Sequence, residues 1–277
     1  MTRVAASGLR LQCSTGTLWT VALEDAFDAI AEAGFSELEL MVTRHPDTHD
    51  PEKPARLAAE RSLRIATVHG PFLAITRSVW GTEPIEKIRR GVEMCRTLGA
   101  ALLVVHPPYL WEGAFASWAT RESAALSERA GVVVAFETMY PKWIGRRRVR
   151  AYRWTEPWEL FVNAPHVVMD TSHLAVARES LHDAYSLLHP KLAHIHLSDN
   201  AGDGRDGHLE VGGGVLDIDD LFRNLRRTRY RGTIALEVSV RRYLERPRAV
   251  VEALRRNREY VEQRLDPTTD KEPGQDD

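Results

Sequence analysis

Cysteine is scarce in this 277-residue chain, with Cys13 and Cys95 as its two examples. They lie far apart and make no CxxC pair, which argues against a disulfide framework and fits a reducing compartment. Long hydrophobic runs are missing too. No segment approaches the roughly 18 apolar residues of a membrane span, and the opening MTRVAASGLRLQ carries no apolar core of signal length. A cytoplasmic protein with no membrane partner is expected. Charge of one sign is also lacking: 37 Lys and Arg against 39 Asp and Glu leave a net charge of −2. That balance gives no global field to hold a polyanion, so nucleic acid is a disfavoured partner and any affinity for phosphate has to be local. Finally, no GxGxxG follows the first apolar run, and Gly212 to Gly214 come late and after a loop. The main signature of an open dinucleotide-binding sheet is therefore absent.

What the chain does have is eight short runs rich in Val, Ile, Leu and Ala. They are LRLQCS, ELELMV, RIATVHG, ALLVVHP, VVVAFET, HVVMDTS, LAHIHLS and GTIALEV, starting near residues 9, 37, 64, 101, 132, 166, 192 and 232. Such runs read as strands of a parallel sheet buried on both faces. Helical patterns separate them: Leu23 to Ala33, Pro54 to Ser62, Ile85 to Leu98, Trp118 to Ala130, Glu156 to Val162, Leu181 to Leu188, Ile218 to Thr228 and Pro247 to Leu265. Within them Ile85, Ile88, Val92 and Cys95 recur at helical spacing, and Gly34, Gly99 and Gly131 stand where left-handed helix ends favour glycine. Eight strands alternating with helices, in a chain near the roughly 250 residues usual for the fold, predict an α/β protein with a single (β/α)8 TIM barrel. The barrel is expected over residues 1–265. The polar, acidic DPTTDKEPGQDD predicts a disordered tail over 266–277.

Nine potential metal ligands fall where these runs give way to loops: His69, His106, Glu137, Asp170, His173, His196, Asp206, His208 and Glu237. Residues at the carboxyl ends of parallel strands face one end of the barrel, so side chains distant in sequence converge there. A single His at a strand end is ordinarily a hydrogen-bonded structural residue. Nine such groups together would bury repelling or unpaired charges at a cost of several kcal/mol, and divalent cations are the simplest compensation. Imidazole and carboxylate without thiolate suit Zn, Mn, Co or Fe, in one to three ions. His194, two residues before His196, shares its face one layer deeper and is expected to pack or support.

These residues carry a resemblance. VHGPF, HPP, ET, DTSH, HLSD, DGH, GGGVLD and ALE, in that order, resemble the xylose isomerase-like TIM barrel superfamily, which includes sugar phosphate isomerases and epimerases and endonuclease IV. Resemblance to the epimerases implies one divalent ion on Glu137, Asp170, His196 and Glu237. Glu137 and Glu237 would then be the catalytic proton carriers around a metal-stabilised enediolate, and His173 and His208 would bind substrate hydroxyls. Resemblance to endonuclease IV implies three zinc ions on all nine positions, with Glu137 bridging. The loops TGTLWTVALED, TRHPDTHDPEK and LAITRSVWGTE lack the basic track that a DNA duplex needs. The favoured reading is a sugar or sugar phosphate isomerase or epimerase. The alternative is a multi-zinc phosphoester hydrolase acting on a small or nucleotide-like substrate, with a true AP endonuclease less favoured.

The segment MYPKWIGRRRVRAYRW after Glu137 is locally basic. Arg146 and Arg148 are candidate clamps for an anionic group, since guanidinium binds oxyanions in a fork, although a solvated loop or an oligomer contact explains the same charges. Among aromatic residues in loops on the same side, Trp19 and Trp111 are candidates for stacking on a sugar ring or base. The expected partner is thus a small anionic or polyhydroxylated molecule, and a homo-oligomer stays open.

Overall fold

A computed structural model describes residues 9–145 and 147–265. In chain order the strands are β1 (Arg10–Ser14), β2 (Glu37–Met41), β3 (Arg64–His69), β4 (Leu102–Val105), β5 (Val133–Glu137), β6 (Lys142–Ile144), β7 (Arg147–Val149), β8 (Val167–Asp170), β9 (Leu192–Leu197) and β10 (Thr233–Leu236). All but β6 and β7 form a closed parallel barrel in the order β1-β10-β9-β8-β5-β4-β3-β2, so the expected (β/α)8 architecture is present. The helices are α1 (Leu23–Glu32), α2 (Glu52–Glu60), α3 (Pro84–Leu98), α4 (Gly113–Ala130), α5 (Pro157–Asn163), α6 (Thr171–Ala177), α7 (Leu181–Leu188), α8 (Ile218–Arg227) and α9 (Pro247–Leu265). The expected tail lies outside the described residues. No described helix is long and apolar enough to cross a membrane.

Three local features depart from the expectations. Helix α4 begins at Gly113 rather than Trp118, and α2 begins at Glu52 rather than Pro54, because proline and glycine are tolerated in the unbonded first turn. The basic segment folds as the antiparallel hairpin β6–β7, where a loop was expected. Helix α6 starts directly at the end of β8: Asp170 is its N-cap, and its Oδ1 accepts from the His173 backbone N–H at 2.9 Å. The expected glycine stops do occur. Gly99 and Gly131 end α3 and α4 with φ of 68° and 67°, in the left-handed region that disfavours a Cβ.

Each barrel strand buries both faces. The outward set packs the helices, with Phe27, Ile88, Phe136, Leu160, Tyr185 and Phe222 at the centre of that shell. Inside the barrel, Leu102, Val104, Ala135 and Val168 fill one sector with hydrocarbon. Fully buried polar side chains occupy other inward positions, among them Gln12, Glu39, Thr67 and His194. Parallel register places His196 beside Ala235 and Asp170 beside His196, so consecutive strand ends bring their functional side chains to one level.

Candidate metal centre

Alternation along the strands determines which side chains point inward. Glu137 ends β5 at the hub of the arrangement. Its Oε1 lies 2.8 Å from His196 Nδ1 and 3.6 Å from His173 Nδ1, and its Oε2 lies 3.1 Å from His106 Nε2 and 3.4 Å from His69 Nε2. Glu237, just beyond β10, reaches the same His196 Nδ1 with Oε2 at 3.1 Å. Asp170 Oδ2 lies 3.8 Å from both His173 Nδ1 and His196 Nδ1. Asp206 closes the outer side, with His173 Nε2 at 3.2 Å and His208 Nε2 at 3.1 Å. All nine residues singled out in the sequence thus belong to one connected set.

The loop between β9 and α8 is built to deliver Asp206 and His208. Asp199 and Leu209 exchange two backbone hydrogen bonds across its neck. Asp199 Oδ1 accepts from Asn200 N–H at 2.8 Å and Leu216 N–H at 3.1 Å. Gly214, from the GGGVLD motif, sits against this carboxylate, and a Cβ there would collide with it and with the Asn200 carbonyl. Ser172 donates to Asp206 at 2.7 Å, and Tyr140 donates to it at 3.3 Å.

One buried carboxylate in the set went unrecognised in the sequence. Glu39, on β2, is fully buried, and its Oε2 lies 3.2 Å from the Nε2 atoms of both His194 and His196. His194 in turn pairs Nδ1 with Thr233 Oγ1 at 2.5 Å. The available signal was the run Glu37-Leu38-Glu39-Leu40 within an apolar strand, where period-two alternation puts one acid set on the barrel interior.

Electrostatics divide the carboxyls into two kinds. Burial pushes Glu137 up, yet His196, His106 and His69 outweigh it and hold the group well below the ordinary range. Burial likewise raises Glu39, and His196 and His194 overcome it. In Asp170 and Glu237 burial prevails, and both carboxyls are raised. His196 and His173 would be lowered by burial, but the surrounding carboxylates raise both well above the usual histidine value, and His208 is carried up to about 9. Protons here supply positive charge that ligands of a divalent cation would take from the ion.

The donor atoms fit such an ion. One oxygen or nitrogen from each of Glu137, Asp170, His196 and Glu237 lies within 4.8 Å of the others. The same holds for three further groups: His69 with His106 and Glu137, Asp170 with His173 and His208, and Glu39 with His194 and His196. Glu137 Oε2, Asp170 Oδ2, Glu39 Oε1 and His106 Nδ1 are buried without a hydrogen-bond partner. Buried polar atoms are rarely left in that state, and metal coordination is one resolution.

Residues 27–260 match the family model described as xylose isomerase-like TIM barrel. The chain belongs to that family. A Mycobacterium tuberculosis relative, an uncharacterized protein, is 30% identical over 249 residues, covering 83% of this chain and 89% of its own. The structure is similar to a Methylomonas D-allulose 3-epimerase solved with D-allulose (17% identity, TM-score 0.67, 92% of this chain and 97% of that one). It is also similar to a Brucella melitensis AP endonuclease, family 2 (19% identity, TM-score 0.65, 84% and 93%). At these identities the two solved structures establish the shared barrel fold.

The expected substrate contacts take varied positions in this family member. Trp19 and Trp111 are exposed, at 54% and 65%. Trp111 stacks on Tyr109 with ring centroids 4.7 Å apart, Tyr109 stacks on Tyr152 at 4.5 Å, and Tyr152 meets His106 edge-on at 5.9 Å. An aromatic ladder therefore runs from the surface to the candidate metal centre. Arg148 forms an ion pair with Glu156, and Arg150 pairs with Glu159 at 2.6 Å, at the start of α5. Their charges are engaged within the protein. Arg146 lies outside the described residues.

Proposed function

We propose that the chain is a divalent-metal-dependent isomerase or epimerase of a small sugar or sugar phosphate. The observation that carries this reading is the convergence of Glu137 and Glu237 on one atom, His196 Nδ1, at 2.8 and 3.1 Å. Sugar epimerisation and aldose–ketose isomerisation both need a group that removes a proton from the carbon beside a carbonyl and a group that returns one. Two carboxyls, one from β5 and one from beyond β10, meet that need. Glu137, Asp170, His196 and Glu237 would hold the ion, with the oxygen and imidazole set suiting Zn, Mn, Co or Fe(II). When bound, the ion supplies polarisation of the carbonyl and neutralises the charge that develops on its oxygen. Asp170 contributes Oδ2 because Oδ1 is fixed in the α6 cap. Thr138 holds His173, its carbonyl 2.8 Å from Nδ1, which leaves Nε2 on the side of Asp206 for a substrate hydroxyl.

A second reading is favoured by the overlap of the ligand groups, since Glu137 and Asp170 each belong to two of them. That pattern supports a two- or three-ion phosphoester hydrolase. Solvent exchange separates the readings. D-Allulose, D-tagatose and ketose phosphates incubated in D2O with each metal are expected to gain deuterium at the carbon next to the carbonyl, as detected by NMR. Absence of exchange with every ketose, together with cleavage of a phosphodiester, would move the assignment to the hydrolase.

A further inference from the structure

A second cleft adjoins the candidate metal centre and is not used by the chemistry above. Its enclosed part is small, about 20 Å³, and opens through a wider mouth between the segment after β3 and the segment after β4. Arg77, Thr82, Lys87, His106, Tyr109 and Glu112 line it, with apolar walls from Phe72 and Phe115.

One of its charges is unusual for its burial. Lys87, in the first turn of α3, is 3% exposed. Its ammonium donates to the carbonyls of Pro71 at 2.9 Å and Thr76 at 3.4 Å, and it lies 5.9 Å from the Phe72 ring. It makes no ion pair with a described carboxylate. Burial, reinforced by the charge of Arg77, pushes Lys87 down to about 8, and Glu112 only partly opposes this. Arg77 likewise forms no ion pair among the described residues. The sole acid lining the cleft is Glu112, whose Oε2 accepts from Tyr109 N–H at 2.9 Å. The amino end of the 15-residue α3 adds positive potential through Pro84 at the wall. His106 bridges cleft and metal centre: Nε2 faces Glu137, and the buried Nδ1 has no partner.

Two cations with no carboxylate paired to them, at the mouth of one small cleft, call for an oxyanion. We infer that this cleft is an anion subsite that receives the phosphate of a phosphorylated sugar whose carbonyl end lies at the metal centre. The inference rests on the sugar isomerase reading for the identity of the ligand, while the anion site stands on its own geometry. It differs from the basic hairpin, where Arg148 and Arg150 are already paired with glutamates.

Calorimetric titration of inorganic phosphate into the full chain, both chelator-treated and metal-loaded, tests the site apart from catalysis. Saturable binding is expected in both forms. Arg77→Gln, at an exposed position that folding tolerates, is expected to weaken it about tenfold. Lys87→Met is expected to weaken it at least as much; should that variant unfold, Arg77→Gln alone decides. No binding, binding confined to the metal-loaded form, or unchanged affinity in Arg77→Gln would overturn the subsite. The ligand's source is read by competition. D-Fructose 6-phosphate displacing phosphate where D-fructose does not supports a sugar phosphate, and equal behaviour of the two sugars would overturn that assignment. A chain that binds phosphate through Arg77 yet exchanges no ketose proton would retain the subsite and lose the isomerase reading.

Discussion

Glu237→Gln is expected to lower turnover by roughly a thousandfold while the barrel stays folded. The amide keeps the size of the side chain, so the contact near His196 is filled, but it neither carries a proton nor offers an anionic oxygen to a metal. The folded-state pKa of Glu237 is raised by burial. A carboxyl raised on folding costs stability once the pH passes its unfolded value, and the neutral amide removes that cost. Thermal unfolding of the metal-free variant should therefore match or slightly exceed that of the parent. A folded Glu237→Gln protein with parental turnover would remove the two-carboxylate mechanism.

Glu39→Gln is expected to weaken metal binding by about 10- to 100-fold, although Glu39 stands outside the four-ligand group. His196 turns Nδ1 toward Glu137, Glu237 and Asp170, which leaves Nε2 to carry the proton. Glu39 accepts it at 3.2 Å and so selects the tautomer that keeps Nδ1 free. The same carboxylate faces His194, itself anchored on Thr233, so the ring plane is held from below. A glutamine oxygen accepts from one imidazole but its amide opposes the other. Competition with a chromophoric chelator reads the affinity directly. Glu39→Asp should recover part of it, whereas unchanged affinity in Glu39→Gln would show that Glu39 only fills space.

The sequence was readable wherever function coincided with a strand end. His69, Glu137 and Asp170 terminate apolar runs, and parallel strands bring such positions to one level of the barrel. Pairing across the fold was not readable in the same way. Glu37 and Glu39 occupy equivalent places in one alternating run, yet Glu37 meets Arg64 at the rim and Glu39 meets two imidazoles inside the barrel. The difference is one of depth on a shared face: Glu37 opens β2 beside Arg64, while Glu39 lies two residues further along, beside Thr67. The basic segment after β5 looked free to clamp an anion. Its arginines at 148 and 150 lie beside Glu156 and Glu159, residues whose capping box also starts α5. The burial of Lys87 is not legible in the sequence, because a lysine in an amphipathic helix ordinarily faces water and only the loop folded over α3 covers it. Helix α6 was hidden because its first residues also complete a strand motif, with Asp170 serving as both strand end and cap.

The claim on which the rest depends is that the carboxyl-end cluster holds a divalent metal. Mass spectrometric metal analysis of protein purified without chelators or an affinity metal, beside a His196→Ala variant, tests it most directly. At least one divalent ion per chain is predicted, lost in the variant; a single ion favours the isomerase, and two or three favour the hydrolase. Parental protein that lacks metal and still turns over its substrate, or a His196→Ala protein with undiminished metal content, would contradict the account.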